Sequence, residues 1–470
     1  MSAIDYKAIE SQIHDDLLEC RRLFTRSVID IPKYSTPDKI REDYPGFLRE
    51  VFKAHKAALT ILINRILHLE NLFTKTNVAN PTRPQKAETS KLRYWKRLLE
   101  LTYNTLVWLN VGMDRCNVRR VFKGPKYGDL AQQNIESVLA YVGEVNKDPN
   151  EIAIPLDFCS FSPICDILRV SHSEIDNTIR RLFIEAKSGK VNDEIRETIS
   201  AGTMEAYFRF FDTYGEKGIK QMERFFRQGM MLDKSQKLVD AEPGVYENPV
   251  NPEEHLVILA NEAQVHHFSD KVAQLLEKAD RKEFAVGQVD NCLVIGAIKT
   301  EDENILMLGE YDVRLYIFHS FINPATLEGA PYPPDLPRIL SAIKLTDWRE
   351  GFGSVVLEPV TLRQIPDRSL IDLLLGRKRL KFYFSPQEFV ALCNDKGLEA
   401  RFTTTKEANR LRSSGSTKGL VNFDGQFIHL SFAGDTITLG EGTLHEMLFN
   451  WVRPTSVIDQ MKQIKFPHKQ

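Results

Sequence analysis

The chain has 470 residues, 42% of them hydrophobic and 27% charged, and a formal charge of −2 from 62 basic and 64 acidic side chains. That length exceeds one ordinary core and predicts two domains or three, each able to bury an interior without disulfides. A near-neutral total excludes a general electrostatic pull toward nucleic acid or anionic membranes, although local patches remain open. The N-terminal Met-Ser-Ala-Ile-Asp-Tyr-Lys lacks the basic and apolar regions of a cleaved signal peptide. No window approaches the roughly 18 apolar residues of a membrane span. The scattered Cys20, Cys116, Cys159, Cys165, Cys292 and Cys393 suit buried, reduced thiols, so the location expected is cytoplasmic.

In chain order, Tyr6, Ile9, Ile13, Leu17, Cys20 and Phe24 step by three or four and predict an amphipathic helix ended by Pro32 and Pro37. A second helix is expected from about Phe47 to Phe73. Pro81 and Pro84 then mark a loop, and Thr89 or Ser90 offers a cap for a third helix through Leu92, Trp95, Leu99, Leu106 and Leu109. Long helices joined by a short loop favour an antiparallel pair and, with the first, a bundle. Further helices are expected at about 129–146, 173–188, 193–211 and 218–228. No repeat of about 33–45 residues recurs, so an irregular α-helical domain is expected over 1–232.

Residues 233–252, with three prolines and one glycine, read as a linker. The texture then changes over 253–470. A helix at about 253–278 precedes β-rich runs at 284–286, 293–298, 305–308, 313–318, 355–362, 380–384, 400–404, 427–432 and 436–439. Helices intervene near 339–348, 369–375, 386–393 and 443–451. Adjoining strands followed by irregular helices predict an α+β domain with a largely antiparallel sheet. The fold class expected is therefore multidomain, α and α+β.

Arg115, Arg119, Arg120, Lys123 and Lys126 form the most notable basic run of the front half. A helix continuing past Gly112 would set Arg115 and Arg119 one turn apart, and they are the candidate anion or nucleic-acid contacts. Lys91, Arg93, Lys96 and Arg97 surround Tyr94 and Trp95, which adds stacking surfaces to a second basic stretch. Solvated helix ends give the same pattern for structural reasons. Arg377-Lys378-Arg379-Leu380-Lys381 leads into Phe382-Tyr383-Phe384, where alternation points to one core face and cations discourage edge pairing.

Glu262, His266 and Asp270 fall at helical spacing beside His267, as a metal site would need, but on a solvent face. His445-Glu446-Met447-Leu448-Phe449 starts like a zinc-protease helix and lacks the second histidine. Cys159 and Cys165 fit no zinc spacing. The loop Ser413–Gly419 lacks the first glycine of a phosphate-cradling loop, and Gly351-Phe352-Gly353 is no dinucleotide fingerprint. Asp290, Asp312 and Glu358 are isolated carboxylates, with Asp312 and Arg314 placed as an ion pair if strand. Pro331, Pro334 and Pro337 have the spacing of a polyproline ligand or of a stiff ordered loop.

No cofactor fingerprint and no metal set emerge. The reading that follows is a non-enzymatic interaction or scaffold protein with a protein partner and no membrane. A nucleic-acid-associated protein using 91–126, unsupported by net charge, and an enzyme whose site assembles from distant residues are the alternatives.

Overall fold

The computed structural model describes residues 4–25, 31–76, 82–112, 122–125, 132–163, 165–185, 190–239, 244–247, 255–258, 265–300, 302–321, 340–353, 358–415, 417, 419–432 and 435–463. It is a multidomain α and α+β fold, with a helical N-terminal region followed by antiparallel sheets and helices. The chain divides into two compact units. One comprises residues 1–258 together with 358–362, and the other residues 259–357 and 363–470.

The first unit is built on three helices, α1 (Tyr6–Thr25), α3 (Tyr44–Thr76) and α4 (Arg83–Val111), with the short α2 (Pro37–Glu42) between the first two. Ile13, Leu17 and Cys20 of α1 are fully buried, as their spacing predicts, and α1 packs on α3 and α4, whose Leu62, Ile66, Leu98 and Leu99 are buried as well. Charged pairs tie the same helices. Arg65 donates to Asp16 at 2.6 Å, Lys91 lies 3.1 Å from Glu10, and Lys96 pairs with Glu70.

The start of α4 corrects the expected loop and cap. Pro84 sits in the first turn, where its missing N–H removes no intrahelical bond. The Gln85 side chain accepts from the backbone N–H of Thr82 at 2.8 Å, so the helix starts well before Thr89. At the other end Gly112 takes φ 105° and donates to the Trp108 carbonyl, which closes the helix in the left-handed conformation open to glycine.

After α4 come β1 (Phe122–Pro125), α5 (Gln132–Val145), β2 (Glu151–Pro155), β3 (Phe161–Pro163), β4 (Ile167–Ser173) and β5 (Thr178–Ile184). β1 pairs with β3, and β2, β4 and β5 form an antiparallel sheet with β4 in the middle. The helix expected at 173–188 is thus corrected to the end of β4, a turn and β5. Asn177 takes φ 53°, and Asp176 accepts from both the N–H and the hydroxyl of Thr178. An Asp-Asn turn of that kind reverses the chain and overrides an ambiguous apolar spacing.

α6 (Lys190–Ala201) and α7 (Met204–Val239) follow, then the pair β6 (Gly244–Glu247) and β7 (His255–Ile258). The helix expected at 193–211 is interrupted by Gly202 at φ 63°. Part of the expected linker is also ordered secondary structure, because α7 runs to Val239 and β6 lies within it. The expected helix at 253–278 is corrected at its start, where His255–Ile258 is strand.

In the second unit, α8 (Ser269–Lys282) leads into β8 (Phe284–Val289) and β9 (Leu293–Lys299). α9 (Glu303–Phe321), β10 (Thr346–Asp347), α10 (Asp367–Leu374) and β11 (Lys378–Phe384) complete a layered body. The described strands form an antiparallel sheet in the order β10-β11-β9-β8. The two strands expected at 305–308 and 313–318 are instead one helix, α9. Its Val313, Ile317 and Phe318 are buried against Val294 and Ile298 of β9. A Cβ on Gly296 would lie 2.3 Å from Val313, so the absence of a side chain lets helix and strand approach.

The remaining chain gives α11 (Pro386–Asp395), β12 (Glu399–Phe402), α12 (Thr405–Ser413), β13 (Ile428–Phe432), β14 (Asp435–Thr438), α13 (Glu441–Leu448) and α14 (Pro454–Lys462). β12, β13 and β14 form a second antiparallel sheet, and Phe389, Cys393, Ile428, Leu430, Met447 and Ile458 fill its core.

Residues 358–362 return to the first unit, where a strand was expected over 355–362 and a 3-10 turn stands at Val360–Leu362. The turn packs on α1 and α4, and the buried Thr361 hydroxyl lies 2.6 Å from that of Thr105. Replacing either threonine by valine leaves the other hydroxyl buried and unpartnered, which costs about 1–3 kcal/mol. Thermal denaturation of Thr105→Val, Thr361→Val and the double variant should therefore show a double loss smaller than the sum. Strict additivity would contradict a direct hydroxyl pair.

Candidate functional site

The basic residues singled out by sequence divide into three groups. Arg115, Arg119, Arg120 and Lys126 lie outside the described residues, and Lys123 falls in β1, where the backbone alone is described. Gly112 ends α4, so the described helix stops before Arg115.

The second stretch makes its contacts within the first unit, with Lys91 and Arg93 exposed and Lys96 and Arg97 half-buried. Lys91 bridges to Glu10 and lies 4.7 Å from the Trp95 ring. Arg93 stacks over Phe73 at 4.8 Å. Lys96 meets Glu70, while Arg97 donates to the Ser160 carbonyl at 2.9 Å. The aromatic rings that suggested base stacking are part of the bundle, with Trp95 2% exposed.

The basic strand β11 is likewise committed. Alternation sends Lys378, Leu380 and Phe382 to one sheet face and Arg379, Lys381 and Tyr383 to the other. Lys378, only 3% exposed, lies 2.7 Å from Asp280 of α8 and 3.4 Å from Asp372 of α10. Lys381 lies 3.0 Å from Glu310 of α9 and 3.4 Å from Asp347 of β10. Asp347 also meets Arg349 and Arg379. Burial works to raise the Asp347 pKa, but the hydrogen bonds and charge of Arg349, with Lys381, outweigh it and hold the carboxyl below its ordinary range.

The isolated acids and histidines resolve in the same way. Asp290 accepts from the N–H and hydroxyl of Thr455 at 3.0 and 2.8 Å, capping α14, and from Arg453 at 3.2 Å. Asp312 lies on a helix, not a strand, so its expected strand-face pairing with Arg314 is corrected. Arg314 reaches Glu310 instead. α8 begins at Ser269, so His266 is not on the helix that carries Asp270, and Glu262 lies outside the described residues. No group of three or more potential metal-ligating side chains occurs among the described residues. The prolines from Pro324 to Pro337 also lie outside them, as do Ser416 and Lys418 of the Ser413–Gly419 loop. Cys159 and Cys165 are buried free thiols. No helix among the described residues is long and apolar enough to cross a membrane.

Among the described residues, α7 carries an exposed apolar stripe with cations beside it. A kink at Gly215 divides it, and the segment after the kink carries three distinct faces. Met222 and the partly buried Phe225 face inward, against a cluster that includes Ile195 and Phe210. Ile219, Phe226 and Met230 are 39%, 45% and 62% exposed. At about 100° per residue these three fall within about 40° of one another on the helix surface. Beside that stripe run Lys217, Lys220, Arg224 and Arg227, all exposed. Lys220 pairs with Glu216 at 2.6 Å, whereas Lys217, Arg224 and Arg227 make no ion pair among the described residues. Before the kink, Met204 and Phe208 add exposed apolar surface one turn apart.

Sequence reasoning placed a helix over 218–228 and missed this face. The available signal was an excess of apolar residues, enough for two sides of one helix. A second exposed apolar group, Met307, Leu308 and Tyr311 on α9, lacks a flanking cationic row.

A comparison with known protein families, with curated proteins and with solved structures finds no match for this chain.

Removing one member of a buried ion network strands its partners, at about 3–5 kcal/mol. Asp347→Asn should accelerate hydrogen exchange of the β11 amides accordingly at pH 7. The Asp347 pKa is lower folded than the 3.8 of an unperturbed carboxyl, so its stabilisation is complete above that value and lost as pH falls through the folded one. The gap between wild type and variant should narrow below about pH 3.8. A gap unchanged down to pH 2.5 would contradict this role.

Proposed function

We propose that this is a non-enzymatic interaction protein whose first unit docks an acidic protein partner on the outer face of α7. The observation that carries the reading is the exposed stripe Ile219, Phe226 and Met230 beside the exposed Arg224 and Arg227, which make no ion pair among the described residues. Exposed apolar groups in a row are costly to leave in water and characterise binding helices. Arginines next to such a row select a surface with carboxylates around an apolar groove, since charge complementarity governs encounter and register.

Other cationic stretches support the contrast. Lys96 of α4 and Lys378 and Lys381 of β11 are covered and meet acids inside their own units, so they offer little to a partner, whereas Arg224 and Arg227 of α7 are exposed. Phe226 lies mid-stripe, where an aromatic anchor contributes most.

A photo-crosslinking side chain at position 226 of the full chain should capture an acidic protein, and the purified pair should re-form. Phe226→Asp and the Arg224→Glu/Arg227→Glu double variant should each weaken that complex by about tenfold or more, and added salt should weaken it further. Adducts only with lipid, only with a second copy of this chain, or no more abundant than at exposed Gln12 would overturn the proposal. So would a complex indifferent to both variants.

A further inference from the structure

A second, independent feature is an open cleft in the first unit, lined by several charged side chains. It has a volume of about 540 Å³ and is walled by Lys33, Asp43, Arg49, Glu50, Lys53 and Lys56, with Asn146 at its floor. That size is within the range of small-ligand sites. Arg49, Lys53 and Lys56 occupy successive turns of one face of α3, at i, i+4 and i+7.

The acids in the wall differ in how far they neutralise these cations. Asp43 is saturated: it accepts from Lys33, from the Tyr34 hydroxyl at 2.8 Å and from the Gly46 N–H at 3.2 Å. The Lys33 and Tyr34 hydrogen bonds hold its carboxyl at about 2, against 3.8 normally. It forms a closed unit with Lys33. A Cβ on Gly46 would collide with this carboxylate, so the glycine is what admits it to the wall.

Arg49 uses one nitrogen on Glu174 at 2.8 Å, in a pair exposed at both ends. Glu50 stands 3.6 Å from Lys53, which is 79% exposed. Such pairs contribute little and exchange partners readily. Lys56 donates to a neutral acceptor, the Asp148 carbonyl, while the Asp148 carboxylate caps the Asn150 N–H at 2.8 Å. Burial lowers the Lys56 pKa, and Asp148 and Glu151 partly restore it.

The floor is fixed in advance. The Asn146 amide accepts from the Ala153 N–H at 2.7 Å and donates to its carbonyl at 3.1 Å, which locks the loop before β2. One guanidinium and two ammonium groups on one helix face suit an anion of charge two. A single carboxylate would satisfy fewer of these donors.

We infer that this cleft binds a phosphate dianion, free or as the monoester of a small molecule, between Arg49, Lys53 and Lys56. Entry displaces Glu50 and Glu174 from their exposed pairings and leaves the Asp43 unit intact. No bond is made or broken.

The test is calorimetric titration of the full chain, at low ionic strength, with inorganic phosphate and separately with glycerol 3-phosphate. Saturable binding of at least one probe at one site is expected. Lys53→Gln and Lys56→Gln should each weaken it by about tenfold, with unchanged melting temperatures. Lys147→Gln, which alters an exposed lysine paired with Glu144 close in sequence to the floor, should leave it unchanged. Tighter binding of glycerol 3-phosphate would identify an ester as the ligand form, and equal or tighter binding of inorganic phosphate would identify the free ion. No saturable binding of either probe would overturn the inference. An equal loss in Lys147→Gln, or no loss in Lys53→Gln and Lys56→Gln, would do the same.

Discussion

A cation removed from water has to meet an acceptor, and that requirement decides which charged stretches of this chain are structural. Lys378 shows it most plainly. It is almost wholly covered by its own unit, and Asp280 and Asp372 reach it from two helices. An ammonium group at that depth without both would cost several kcal/mol. Because its strand alternates, the neighbouring Lys381 enters the opposite layer and needs a second pair of acids, Glu310 and Asp347. The sheet and the helices on its faces are thereby fixed in register by charge as well as by apolar contact.

The first unit obeys the same rule in a helical setting. Arg65, Lys91 and Lys96 stitch α1, α3 and α4 through Asp16, Glu10 and Glu70. Such pairs specify which helix lies beside which, while Leu62, Ile66, Leu98 and Leu99 supply the burial that holds them together. Once these cations are assigned, those of α7 stand apart. They flank apolar side chains that face solvent, and the proposed partner would satisfy both features at once. In the α3 cleft the cations are only loosely neutralised, a smaller version of the same imbalance.

Much of the framework was legible in the sequence. The stripe from Ile9 to Cys20 encoded α1, and an α+β region after the helical one followed from the change in residue spacing. The errors have physical causes. Ile305–Phe318 contains β-branched and aromatic residues that suit a strand, yet the face Gly309, Val313 and Ile317 packs on β9, and tertiary burial prevailed over local preference. Residues 173–188 carry apolar groups compatible with either period, and the Asp-Asn turn decided the outcome. Pro84 marks a break by composition, yet a proline is tolerated in the first turn of a helix, where it stands. Thr361 joining Thr105 could not be foreseen, because nothing local marks a segment that returns across more than two hundred residues. The cleft was hidden for the same reason, with lining residues spread from Lys33 to Pro149. The α7 stripe was less hidden: apolar residues on two sides of one helix were there to be counted.

The cations thus divide their labour: the covered ones of β11 and α4, Lys378, Lys381 and Lys96, hold the fold, and those of α7 stand outside it, where a partner is proposed to meet them. Equilibrium unfolding of Lys378→Gln, Lys96→Gln and Arg224→Gln/Arg227→Gln in the full chain tests it most directly. The account predicts losses of about 3–5 kcal/mol for Lys378→Gln, a smaller loss for Lys96→Gln, and a change within about 0.5 kcal/mol for the α7 pair. A large loss for the α7 pair, or none for Lys378→Gln, would contradict it.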